Sequence, residues 1–180
     1  MVSGIDKYVY LVTDADEIKV LEKLNKQGHT LPDIGLKMET GLTVDFRNRD
    51  ILRDENEEGT IPLFYSQHIQ DGIVKFPINK EHEYVLTDQK GLKQQNKNYL
   101  FVKRFTAKEE GRRLQCGVYL SRRYLQYDAI STQNKINFNE GLSTELSECV
   151  VYGLYVLFNS TIYDCYYRIL NVSTQVNSTE

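Results

Sequence analysis

The chain is poor in the residues that punctuate and cross-link a fold: its 180 residues include three prolines, three cysteines and three histidines. Pro32, Pro62 and Pro77 stand alone, so the (Asn/Asp)-Pro-Pro-(Tyr/Phe) loop that holds the exocyclic amine of a flipped base is missing. No two glycines are spaced as G-x-G, and neither a Walker phosphate loop nor a G-x-S-x-G elbow occurs, which removes the usual nucleotide cradles and the serine-nucleophile turn. Cys116, Cys149 and Cys165 are odd in number and form no C-x-x-C pair, with only His29, His68 and His82 to share a metal. They read as reduced thiols in a cytoplasmic protein, with no disulfide and no metal site. No run approaches 18 apolar residues, and the opening MVSGIDKYVYLVTDADEIKVLEKL has no basic n-region and is broken by Asp6, Lys7, Asp14 and Asp16. Neither a membrane span nor a signal peptide is expected.

Positive charge is scarce overall and concentrated in one place. The net charge is -3 and the sequence pI about 5.7. Yet KNYLFVKRFTAKEEGRRLQCGVYLSRR, residues 97–123, holds eight basic residues against Glu109 and Glu110, a local net of +6 that leaves -9 elsewhere. With Tyr99, Phe101, Phe105 and Tyr119 interleaved, this is the composition of a polyanion-binding face within an acidic domain, or of a solvated hairpin with scattered charge.

Periodicity gives the elements. YVYLVT reads as a strand, and Asp14 with Glu17 as the capping pair of a helix, EIKVLEKLNKQ, that turns Ile18, Leu21 and Leu24 to one face and stops at Gly28. In GLTVDFR the alternation of Leu42, Val44 and Phe46 with Thr43, Asp45 and Arg47 predicts a strand. IPLFY and GIVKFP read as short strands, and residues 79–98 as a long loop. YLFVKRFT and RLQCGVYL form an expected antiparallel pair around Gly111, with the cations divided between its two faces. Beyond about residue 135 the pattern turns helical: Ser143 and Thr144 suit the N-cap of TELSECVVYGLYVLF, and Asn159 or Ser160 that of TIYDCYYRIL. On this last helix Asp164 and Arg168 stand four apart and are able to bridge each other.

The pairing of Pro32-Asp33 with Glu39 is a superficial likeness to a metal-dependent nuclease core, but no E-x-K follows at suitable spacing. Four stretches taken together are more specific: ETGLTVDFRNRDIL, EGTIPLFYSQHIQDGIVKFP, NKNYLFVKRFTAKEEGRR and YGLYVLFNSTIYDCYYRILNVSTQVNST. In order and approximate spacing, over roughly residues 30–180, they resemble the C-terminal half of adenine-specific DNA methyltransferases of type II restriction-modification systems, of the PstI and BsuBI kind.

The resemblance implies a target recognition domain that reads double-stranded DNA. The catalytic domain of such an enzyme, which binds S-adenosylmethionine and methylates N6 of adenine, is the part whose motifs this chain lacks. The expectation is therefore one α+β domain over residues 1–180, a mainly antiparallel sheet with a C-terminal helical pair, like a methylase specificity domain. It divides into a strand-helix lead-in (1–30), a sheet-rich part (31–135) and a helical part (136–180). By itself it is expected to carry no catalytic residue, metal or cofactor, and the start at Met1 and the end at Glu180 suit an excised piece. Its partners would be duplex DNA and the parent's catalytic domain. A DNA-cleaving domain and a protein-interaction module are the alternatives.

Lys103, Arg104, Arg112 and Arg113 are the expected phosphate contacts, some of them pairing instead with Glu109 or Glu110. Arg47, with Thr40, Gly41 and Asp45, is placed for base or backbone contact, or Asp45 and Arg47 pair internally; Tyr65 is placed for stacking or hydrogen bonding, and Arg168 for contact or for the bridge to Asp164. Three N-x-S/T triplets end the chain, at Asn159, Asn171 and Asn177. Family likeness assigns Asn159, Ser160 and Thr161 to a helix start and Thr174, Gln175 and Asn177 to the segment after it, as phosphate-facing polar groups rather than glycan acceptors.

Overall fold

The computed structural model of the chain describes residues 2–3, 8–10 and 12–170. In chain order the elements are β1 (Val2–Ser3), β2 (Tyr8–Val9), α1 (Ala15–Asn25), β3 (Leu36–Thr40), β4 (Leu52–Arg53), β5 (Thr60–Phe64), β6 (Ile69–Gln70), β7 (Ile73–Val74) and β8 (Tyr84–Leu86). They continue with β9 (Gln94–Gln95), β10 (Tyr99–Lys103), β11 (Cys116–Tyr119), β12 (Ala129–Thr132), β13 (Ile136–Gly141), α2 (Glu148–Phe158) and α3 (Thr161–Leu170). Among the described residues β1 and β2 form a small ribbon. The other strands form a six-stranded sheet, β3-β13-β10-β11-β7-β6, and a five-stranded sheet, β4-β8-β5-β12-β9. Each is mixed: β11 runs parallel to β7 and β12 parallel to β5, while the other pairs are antiparallel. The expected α+β class with a C-terminal helical pair is what folds, its strands divided between two sheets.

The six-stranded sheet is the middle layer, and alternation along β10 shows why. Leu100 and Val102 join Cys116, Val118, Val151, Leu154 and Phe158 under α2 and α3. Tyr99 and Phe101 point the other way, to Phe64, Tyr119, Tyr124 and Ile130 against the second sheet. Each such side chain contributes about 1.5–3 kcal/mol when buried. The aromatic layer centres on Phe64, whose ring lies 5.0 Å from Phe76, 5.1 Å from Tyr119 and 5.7 Å from Phe101. Its phenols are satisfied internally: Tyr119 donates to Asn96 Oδ1 at 2.7 Å and Tyr124 to the Val74 carbonyl at 2.9 Å.

Several local expectations change. Of the strand expected in YVYLVT, Tyr8–Val9 form β2, and Leu11 lies outside the described residues. The predicted strand over 42–47 ends early: Thr43 exchanges backbone hydrogen bonds with Thr132 and Asn134, both at 2.9 Å, and the chain then enters 3-10 turns at 45–47 and 49–51. Asp45 accepts from its neighbour Phe46 N–H at 2.9 Å and Asn48 donates to the Val44 carbonyl at 2.8 Å, local bonds that compete with a strand ladder. The expected loop at 79–98 contains β8 and β9, anchored by Asn96, whose amide donates to the carbonyls of Tyr124 and Tyr127. Residues 136–141 are strand β13, paired to β3 and β10, so the helical pattern begins only with α2. Its N-cap is Ser147, accepting from Val150 N–H, rather than Ser143 or Thr144, because residues 142–146 cross from β13 and bury Leu146. Asp14 caps α1 as expected, while Glu17 reaches back to Thr13 N–H at 2.6 Å.

A buried polar pair fixes the turn after β5. His68 Nδ1 accepts from Tyr65 N–H at 2.8 Å, so the ring proton sits on Nε2 and faces Glu83 Oε1 at 2.7 Å. Both side chains are buried, and Glu83 also accepts from Ile78 N–H at 2.8 Å. Burial, opposed by the Glu83 bond, holds the His68 pKa below its ordinary 6.5. Because the unfolded chain takes up that proton first, this contribution is complete above pH 6.5 and is lost as pH falls below it. In urea unfolding, His68→Leu is expected to destabilise by about 3 kcal/mol at neutral pH by removing a buried partner of Glu83, with a flatter pH profile below neutrality. Glu83→Gln, which keeps an acceptor for both donors, is expected to lose only about 1 kcal/mol.

Candidate nucleic-acid interface

The basic stretch splits into separate groups because β10 and β11 are buried on both faces. One group gathers around the turn Gln133–Lys135 that joins β12 to β13. Arg104 N–H donates to the Lys135 carbonyl at 2.9 Å, and the Arg104 guanidinium donates to the Asn134 carbonyl at 3.1 Å. Asn134 N–H in turn donates to the Thr43 carbonyl, which carries the 45–51 turns to the same place. Gly41 passes so close to the Gln133 backbone that a Cβ would overlap its carbonyl, and Thr40 donates to Asn137 Oδ1 at 3.2 Å. Thr40, Gly41, Asp45, Arg47, Lys103 and Arg104 are thereby brought to one end of the six-stranded sheet. Asp45 and Arg47 form no ion pair with each other among the described residues.

Two exposed aromatic rings stand on this end, each beside an arginine. Phe46 is 62% exposed with the Arg47 guanidinium 5.5 Å from its ring centre, and Phe105 is 44% exposed with Arg104 at 5.6 Å. Arg47, Arg49 and Lys135 are exposed, and Lys103, half-buried, donates to Gln115 Oε1 at 2.9 Å. Phe46 and Lys135 were not singled out from sequence as site residues. Phe46 was assigned to the apolar face of a strand that does not form, and Lys135 lies outside the basic stretch.

The second group joins the β10–β11 connection to α3. Asp164 is its centre: Oδ1 accepts from Arg113 N–H at 2.6 Å and Leu114 N–H at 3.3 Å, and Oδ2 from Arg168 Nε at 2.9 Å. Burial alone would raise the Asp164 pKa, but the Arg168 guanidinium and the two N–H groups outweigh it and hold the carboxyl below its ordinary 3.8. Arg168 therefore makes the expected bridge, and its remaining donors reach the carbonyls of Lys108 and Glu110 at 3.1 and 2.7 Å. Arg113 is only 2% exposed; its guanidinium donates to Thr106 Oγ1 at 3.1 Å and lies 5.3 Å from the Tyr167 ring centre. In this arrangement both arginines hold the connection against α3, and Arg113 does not face solvent. Arg112 is exposed and donates to Thr161 Oγ1 at 3.3 Å, while Ser160 Oγ accepts from Tyr163 N–H as the cap of α3. Asn159 closes α2 by donating to the Tyr155 carbonyl at 3.0 Å.

The remaining expected residues lie apart. Tyr65 is buried, donates to the His82 carbonyl at 2.9 Å and has Lys80 Nζ 3.9 Å above its ring, so its faces are occupied within the chain. Lys97 and Arg122 pair with Glu145 and Glu148 near the start of α2, and Lys108 and Arg123 are exposed without an ion pair among the described residues. Thr174, Gln175 and Asn177, with the triplets at Asn171 and Asn177, lie outside the described residues. Among the described residues no three or more His, Cys, Asp and Glu side chains cluster as metal ligands, and no helix is long and apolar enough to cross a membrane.

The Asp164 cluster makes a prediction about stability. Asp164→Asn offers an amide where an acceptor is needed and is expected to destabilise by about 2–3 kcal/mol in urea unfolding at neutral pH. Since the folded-state pKa is depressed, the wild-type contribution is full above about pH 3.8 and disappears as pH falls through the lower folded value; the variant is expected to lack that component of the acid transition.

No family model matches the chain. Among curated proteins it is 35% identical over 181 aligned residues to the type II methyltransferase M.BsuBI of Bacillus subtilis, a match covering 99% of this chain and 36% of that protein. It is 33% identical over 179 residues to the type II methyltransferase M.PstI of Providencia stuartii, covering 97% and 35% respectively. The chain is thus homologous over nearly its whole length to a stretch of type II methyltransferases, and it spans about a third of the length of these relatives.

Proposed function

We propose that the chain is the DNA target recognition domain of an adenine-specific methyltransferase of a restriction-modification system. The observation that carries this reading is the convergence of Arg47, Arg104, Lys103 and Lys135 with exposed Phe46 and Phe105 around one turn. Cations there neutralise phosphates and set the register on the duplex, while adjacent aromatic surfaces reach bases or wedge between base steps. Arg112, with Ser160 and Thr161 at the start of α3, extends the phosphate-facing surface. Thr174, Gln175 and Asn177 are further phosphate contacts in this proposal. Arg113, Arg168 and Asp164 support it from behind by fixing the connection that carries Arg112.

Methyl transfer belongs, in this reading, to another portion of the parent, which would bind S-adenosylmethionine and receive an adenine turned out of the stack. Two clefts open among the described residues, one lined by polar groups of Lys97, Ser143 and Glu145 with Tyr99, Gly141 and Leu142, the second by Asp54, Glu55, Glu81 and Glu83 with Pro77 and Tyr84. No step of methyl transfer is assigned to these residues.

Titration of fluorescent duplex DNA at several salt concentrations tests the reading. The expected result is binding that weakens steeply with salt. Arg47→Ala/Lys135→Ala, both exposed, should lower the slope of log affinity against log salt by about 2. Phe46→Ala should weaken binding while leaving that slope unchanged, since it removes an apolar contact and no charge. Salt-insensitive association, or variants that bind like the wild type, would sink the proposal.

A further inference from the structure

Helix α2, ECVVYGLYVLF, carries no charge after Glu148. Val151, Leu154 and Phe158 enter the core, yet Cys149, Val150, Tyr152, Gly153, Val156 and Leu157 are exposed, Val156 by 68%. A helix apolar all round is ordinarily covered on every side, and a contiguous apolar patch marks an interaction surface. Cys149, Tyr152, Gly153 and Val156 recur at i, i+3, i+4 and i+7, one stripe along the helix. Gly153 supplies a second observation: a Cβ there would meet nothing within 4 Å, so no contact inside the described chain requires glycine. Mid-helix glycine lowers stability by about 1 kcal/mol relative to alanine, and what it provides is bare backbone that another element can approach closely. DNA is a poor occupant, because Lys97 and Arg122 at this end of the helix are matched by Glu145 and Glu148.

We infer that the outward face of α2 is the docking surface for the rest of the parent protein, the portion to which methyl transfer is assigned in the reading above. The match to M.BsuBI takes in 99% of this chain, α2 included, and only 36% of the relative, so most of the relative's length is available as occupant. This rests on the reading as a recognition domain, which must be held in a fixed orientation to the catalytic site if a chosen adenine is to reach it. An uncharged helix face with a close-approach point suits that rigid contact.

Cys149 lies on the face and reports its coverage, with half-buried Cys165 as internal reference. The test is alkylation by iodoacetamide, read peptide by peptide by mass spectrometry, on this chain alone and with an excess of the portion of M.BsuBI that it does not cover. Docking predicts that Cys149 modification slows by about tenfold, that Cys165 is unchanged, and that Val156→Asp cancels the protection. The same variant should bind duplex DNA like the wild type, which shows that it folds. An unchanged Cys149 rate overturns the inference, as does protection in the isolated chain that grows with its own concentration, which would make a second copy the occupant. Duplex binding with Cys149 unprotected rejects the docking surface alone; absence of both rejects the recognition reading as well.

Discussion

Because β10 and β11 bury both of their faces, one under helices and one against a second sheet, the charges that flank them have only the strand ends to occupy. Putting a lysine or arginine on either face would place a cation in a close-packed apolar layer, a desolvation of several kcal/mol without a partner. The sequence accordingly runs Tyr-Leu-Phe-Val in β10 before a cation at its end, Lys103, and Cys-Gly-Val-Tyr-Leu-Ser from the start of β11 before Arg122. The basic stretch is therefore no continuous stripe. It is a set of groups whose positions follow from where this hairpin starts, turns and stops.

Those groups divide between cations bonded within the chain and cations that face outward. Arg113 and Arg168 are engaged by Asp164, Thr106, Tyr167 and backbone carbonyls, and so hold the β10–β11 connection to α3. Arg47, Lys135 and Arg112 extend outward from backbone that is itself well fixed. Arg104 does both, bonding the Asn134 carbonyl while lying beside the exposed Phe105 ring. Cations held by internal acceptors have little left to offer a phosphate, and counting basic residues in the stretch overstates the charge available at the surface.

Much of this was legible in the sequence. The β10–β11 pair, the capped α1, the Ser160 cap and the Asp164–Arg168 bridge are local, and each follows from a spacing of three or four residues or from strict alternation. What escaped was set at long range. The 42–47 alternation is correct as a pattern, but Thr43 is captured by Thr132 and Asn134, some 90 residues away, and Asp45 and Asn48 then turn the chain by local bonds. Phe46 left the apolar face for solvent as a result. Arg113 and Tyr65 were read by residue type, whereas their burial depends on α3 and on the segment around His82, which periodicity cannot bring to them.

The 45–51 turns are anchored at both ends, by Thr43 before them and by the pairing of Leu52 with Val85 after them, which has an implication for how such a surface varies. Among residues 45–51 none is fully buried, and the ladder bonds that fix their position are made outside them, at Gly41 and Thr43 before and along β4 after. Replacements between Thr43 and Leu52 therefore alter the reach and chemistry of the tip while the pairings on either side keep their register. The proposed interface can therefore change its side chains in that segment while both cores stay constant.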